Sequence, residues 1–170
     1  MRFSIYAVLA LATLAACSPT FNWRDVRPDD TRLSLLMPCK PDKAQKTVPL
    51  GGQPTELMLL GCDAGGVTFA VAVADVKDAT KVAATLAQWQ SATLANIKAT
   101  PATPGAAFKL TGLASGGVIV KATGQRANGQ AVSSQAAYFA QGSQVFQAVV
   151  YADNIAPDAA DAFFSGLKFE

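Results

Sequence analysis

Short apolar runs separated by glycine and proline fill the chain after residue 30, and their period changes twice. Leu33 to Met37 is stopped by Pro38 and Pro41, Thr47 to Leu50 by Gly51-Gly52, and Glu56 to Cys62 ends before Gly65-Gly66. From Val67 to Val76 the residues Val67, Phe69, Val71 and Val73 alternate on one face, which is the period of a strand. These runs predict an antiparallel meander. Between Lys81 and Lys98 glycine and proline disappear, and Val82, Leu86, Trp89, Thr93 and Ile97 recur three or four apart. That stripe predicts one amphipathic helix, with Asp78 as its N-cap and Pro101 beyond its end. Strand signals return at Phe108–Leu113, Gly117–Thr123, Val132–Ala140 and Gln144–Tyr151, with Asn128-Gly129 and Gln141-Gly142-Ser143 as turns. Gln144–Tyr151 is apolar on both faces, so it is expected to be covered on both sides. A second helix opens at Pro157, carries Asp158 and Asp161 near its positive end, presents Phe163, Phe164 and Leu167, and closes at Gly166. The fold class is thus α+β: an antiparallel sheet of about seven or eight strands with two helices packed on it, forming a single domain over 31–170.

The remaining apolar run, Ile5 to Ala16, has another character. It follows Met1-Arg2, spans 12 residues and closes in Leu14-Ala15-Ala16-Cys17. A membrane-crossing helix needs roughly 20 apolar residues, so 1–16 reads as a cleaved signal peptide. Leu14, the small residues Ala15 and Ala16, and Cys17 together resemble the lipobox of bacterial lipoproteins. The resemblance implies that Cys17 is lipidated and becomes the first residue of the mature chain. Ser18, where an aspartate would retain the protein in the inner membrane, implies an outer-membrane anchor with the domain on the periplasmic face. An ordinary secretory signal cut after Ala16, with Cys17 left as a thiol, is the alternative. Residues 17–30 are polar, contain Pro19 and Pro28 and lack periodicity, so they read as a lipidated tether. Trp23-Arg24 stands out within it. An aromatic of that size either folds back on the domain, the favoured reading, or meets a partner or the lipid headgroup zone. Trp23 and Arg24 are therefore candidate partner contacts.

Composition acts mainly by exclusion. After residue 16 the chain keeps 154 residues, with 13 Lys and Arg against 12 Asp and Glu. Such a balance leaves no electrostatic footprint for nucleic acid. An apolar fraction of 51% suffices to build a core without any cofactor. Cys39 and Cys62 remain in an oxidising compartment and most simply pair as a disulfide, with two buried thiols as the alternative. Histidine is absent, which excludes Ser-His-Asp and Cys-His nucleophiles and leaves a structural zinc site short of ligands. Asp29-Asp30 falls in the tether and Asp158 with Asp161 in a helix first turn, so neither pair reads as a catalytic dyad. The doublets Gly51-Gly52, Gly65-Gly66 and Gly116-Gly117 read as strand-end turns, since no Walker lysine or G-x-G-x-x-G accompanies them.

Leu36-Met37-Pro38-Cys39-Lys40-Pro41 resembles the LP-x-KP strand end of PsbP-like α/β/α sandwich domains. The segment Tyr138 to Val150 and the terminal Phe163-Phe164-Ser165-Gly166-Leu167-Lys168 are similar to the closing strand and final helix of the same group. With Trp23-Arg24 and the cysteine pair, the chain resembles a group of proteobacterial lipoproteins of uncharacterised role. What this implies is a sheet with helices on its faces, and no catalytic residue carries over. PsbP-like domains are mostly accessory or docking modules. The expectation is a lipid-anchored periplasmic docking module that binds a protein or envelope component, with no catalysis and no cofactor. A small-molecule or lipid carrier, using an apolar pocket between helix and sheet, is the runner-up.

Overall fold

The alternation from Val67 onward places this segment deep within a seven-stranded antiparallel sheet. The computed structural model describes residues 20–99 and 105–170. Cys17, the expected signal peptide and most of the Thr100–Gly105 connection lie outside them. In chain order the strands are β1 (Arg24–Val26), β2 (Leu33–Met37), β3 (Asp42–Leu50), β4 (Gln53–Ala64) and β5 (Val67–Asp75). Helix α1 (Val82–Asn96) follows a single 3-10 turn, and then come β6 (Ala106–Phe108), β7 (Gly117–Gln125), β8 (Ala131–Gln141) and β9 (Gln144–Ala152). Helix α2 (Pro157–Ser165) and β10 (Lys168–Phe169) close the chain. The large sheet has the order β3-β4-β5-β9-β8-β7-β6, and β1-β2-β10 form a small second sheet.

Period-two alternation divides the core into two layers. On one face Phe69, Val71 and Val73 of β5 lie beside Val150, Ala148 and Phe146 of β9. This face packs against α2 through Ala160 and Phe163, and against Leu33, Leu35 and Met37 of β2. Ala72, Ala74, Val145, Val149 and Tyr138 form the opposite face and meet Trp89 of α1. The molecule is α+β, with helices on both faces of its main sheet. Gln144–Ala152 has six consecutive buried residues because both of its faces are covered.

Residues 21–30 are not a free tether. Phe21 and Trp23 pack against the α2-side core, and Arg24–Val26 pairs with Leu35–Met37. The sequence hid this strand because it has three residues, two of them charged, and so no periodicity. β3 begins five residues before the expected Thr47, because an edge strand exposed on both sides has no apolar pattern to read. The strand expected at Phe108–Leu113 does not form as such: β6 lies earlier and shares only Phe108 with it, and of the rest only Thr111 takes part in pairing, as a single bridge to Lys168. Asp78 caps the 3-10 turn that precedes α1, accepting from Thr80 N–H at 2.9 Å.

Gly124 shows how close α1 sits to the sheet. The N–H of Gln125 donates to Ile97 O at 2.6 Å, and a Cβ on Gly124 would stand 2.1 Å from that same oxygen. Backbone cannot yield as a flexible side chain can. Gly124→Ala is therefore expected to destabilise the fold by about 1–3 kcal/mol, read as a lower urea midpoint at unchanged m.

Candidate functional site

Polar side chains from three parts of the chain meet at the end of the sandwich where β5 closes and β9 opens. The loop between β1 and β2 brings Asp29, Asp30 and Thr31, β4 brings Glu56 and Met58, and β5 brings Val73 and Asp75. They line an open groove of about 500 Å³ on the α2 side of the sheet. One hydrogen bond closes the loop on itself and another ties it to β9. Thr31 Oγ1 donates to Pro28 O at 3.0 Å, and Gln144 Nε2 donates to the carbonyl of Asp30 at 3.0 Å. Asp30 has φ +58°, a left-handed conformation that aspartate tolerates better than most residues.

Four carboxylates and two lysines share this region. Lys43 Nζ pairs with Asp29 at 2.8 Å, spanning the opening between the groove and a neighbouring recess of about 270 Å³. Lys77 Nζ pairs with Asp75 at 2.7 Å. Glu56 accepts from Gln45 Nε2 at 3.4 Å. Among the described residues no cation pairs with Glu56 or Asp30, so the groove is net acidic. Among the described residues there is also no group of three or more acids or cysteines placed to hold a metal ion.

Asp75 is the most perturbed of these acids. Hydrogen bonds from Lys77 and Ser143 hold its carboxyl down to about 2. Ser143 Oγ donates to Oδ1 at 2.7 Å, and the Lys77 N–H donates to the same oxygen at 2.9 Å. Folding lowers this pKa below the value of roughly 3.9 for a free aspartate, so the native state binds fewer protons. The stability that results is present above about pH 4 and is lost as the pH falls towards 2. Asp75→Asn should cost under about 1 kcal/mol at neutral pH, because the ion pair is partly solvated. The gap between variant and parent should close on acidification, as measured by urea midpoints from pH 7 to pH 2.5.

The residues singled out from sequence lie elsewhere. Trp23 stacks edge-on to Phe69 with ring centroids 6.1 Å apart and is half-buried. Arg24 sits in β1, and its Nε donates to Asn22 O at 3.4 Å. Trp23 is thus a core contact at the β4–β5 end of the sandwich, remote from the groove. Cys39 and Cys62 are bonded, with Cα atoms 6.0 Å apart, and tie the end of β2 to β4. One serine–lysine pair has the S-x-x-K spacing, Ser165 and Lys168. Ser165 Oγ donates to Ala162 O, while Lys168 Nζ pairs with Glu170 at 2.8 Å, so the two do not act as nucleophile and base.

Between α1 and the sheet the space is occupied by a polar seam. Gln147 Nε2 donates to Thr93 Oγ1 at 2.7 Å and to Tyr138 OH at 3.1 Å, and Thr93 donates to Trp89 O at 2.9 Å. Burial raises the pKa of Tyr138 and of Tyr151 beside it, so both phenols stay neutral. Thr85 Oγ1, buried on the same helix, has no hydrogen-bond partner and faces Gly51. No protein-family model and no curated protein matches the chain.

Proposed function

We propose that the protein is a non-catalytic docking module of the cell envelope, built on a PsbP-like sandwich. Cys17 anchors it by lipid, with the domain on the periplasmic face of the outer membrane. It binds a protein or envelope component through the acidic groove. The observation that carries this reading is the position of the groove: an open, polar concavity at the end of the sheet opposite the point where the chain leaves towards Cys17. Eight residues of β4 lie between Glu56 and the Gly65 turn beside Thr20, a separation of nine positions or roughly 30 Å of strand. An anchored domain with its recognition surface at the far end presents that surface to partners in solution or in the opposite envelope layer. The carrier reading needs an apolar pocket under α1. Among the described residues that space holds Trp89, Thr93, Gln147 and Tyr138, which favours docking.

Complementation of a deletion strain tests the proposal. Single changes of Asp78, Lys109 or Arg126 to alanine should restore the phenotype fully. Reversing two groove charges together, Asp30→Lys with Glu56→Lys, should abolish it in a folded and correctly localised protein, with a loss of tenfold or more in partner binding at about 1.4 kcal/mol per decade. Loss of function from Asp78→Ala alone, in a folded and localised protein, would overturn the docking reading.

A further inference from the structure

The structure fixes how closely the domain must approach its anchor. Thr20 is exposed, but Phe21 beside it is held on three sides. Its ring lies 6.3 Å from Phe69 and 5.8 Å from Trp23, and a Cβ on Gly65 would stand 3.1 Å from its Cζ. The N–H of Asn22 donates to Pro38 O at 2.7 Å, which pins the backbone next to the end of β2. The domain therefore begins at Thr20 or Phe21. Only Ser18 and Pro19 separate Cys17 from Thr20. Three extended residues span at most about 11 Å.

We infer that the Gly65–Gly66 end of the sandwich lies directly against the lipid surface, with the acidic groove turned away from it. The inference rests on lipidation of Cys17, as proposed above. Diacylglycerol on Cys17 puts the sulfur at the level of the headgroups, and the short spacer leaves the domain no room to stand off or tumble. The face that meets the lipid carries Thr20, which lies against Gly65, with Gly66 and Asn154 at the same end of the strands and Lys40 following Cys39, bonded to Cys62 three positions before Gly65. Strand register places them together: Val67 pairs with Ala64 across the Gly65-Gly66 turn, and Thr68 pairs with Tyr151, three residues before Asn154. The half-buried Trp23 lies at the same end, where an indole suits the headgroup zone. Both signs of charge occur there, Lys40 and Arg126 against Asp63 and Asp153, and Arg126 pairs with Asp153 at 3.3 Å. The anchor, not surface charge, sets the orientation.

Energy transfer to the bilayer tests this on the full mature lipoprotein, reconstituted in phosphatidylcholine vesicles that contain a headgroup-labelled acceptor lipid. A donor dye is placed through Asn154→Cys or, at the far end of β4, through Gln53→Cys, and intact mass confirms both the native disulfide and the lipid. Transfer from position 154 is expected to exceed that from position 53 several-fold, and to persist at high salt. Equal or inverted transfer in a lipidated protein would overturn the orientation while leaving the anchor intact. A mature chain recovered from the membrane without lipid mass on Cys17 would overturn both.

Discussion

Phe69→Ala is expected to be the most damaging single substitution in the domain, costing about 3–5 kcal/mol. Phe69 is fully buried in the central part of the sheet, and its ring contacts Phe163 of α2 at 5.4 Å and both Trp23 and Phe21. The cost has two parts. Truncation opens a cavity between β5 and α2, and it also removes the floor on which the N-terminal segment rests. β1 contributes only three residue pairs to β2, so it cannot hold this segment alone. Trp23 should become more exposed before global unfolding. Urea titration gives the loss of stability, and red-shifted emission from Trp23 at denaturant concentrations below the main transition, in a Trp89→Phe background, reports the local release. An emission change coincident with global unfolding would show that the N-terminal segment is held by other contacts.

How far the sequence discloses this molecule depends on which residues face the core. β5 was legible because one of its faces is Phe and Val and the other alanine under α1, so alternation survives in the sequence. α1 was legible for the same reason: Trp89, Thr93 and Ile97 are buried at helical spacing. β3 lies at an edge, with six exposed residues in succession, and nothing in Asp42-Lys43-Ala44-Gln45-Lys46-Thr47 distinguishes it from a loop. Edge strands are commonly guarded by lysine and proline, and here Lys43, Lys46 and Pro49 take those places. The groove was beyond reach for a different reason. Asp29-Asp30 reads as tether and Asp75 as a strand end, and only long-range pairing brings them together. Gln144 reaches the Asp30 carbonyl across 114 positions of chain. Its signal in the sequence was weak: an acidic pair just before β2, next to a proline that turns out to be buried. Gln147 offered a clearer clue. A glutamine inside an otherwise apolar strand needs a partner when covered, and Thr93 and Tyr138 supply it.

Removing the Cys39–Cys62 bond is expected to lower stability by about 3 kcal/mol, because it closes a loop of sequence separation 23 in the unfolded chain. The bond also has a specific place in the architecture. β2 belongs to the small sheet and β4 to the large one, and Cys39 follows β2 by two residues. The two sheets otherwise hold together mainly through side-chain packing of Leu33, Leu35 and Met37, with the Gln144–Asp30 and Lys43–Asp29 contacts at the loop and, among the described residues, no shared ladder of hydrogen bonds. Cys39→Ser with Cys62→Ser should therefore remain folded, since this core persists, but should unfold at a lower urea concentration. The m-value should rise as well, because an unconstrained unfolded chain exposes more surface. Reduction of the parent protein should reproduce both changes, and the double variant should not respond to reductant. Alkylation of the unreduced, denatured protein should find both sulfurs blocked. Full alkylation of Cys39 and Cys62 without reductant, or a variant as stable as its parent, would show that β2 is held to the large sheet by packing alone.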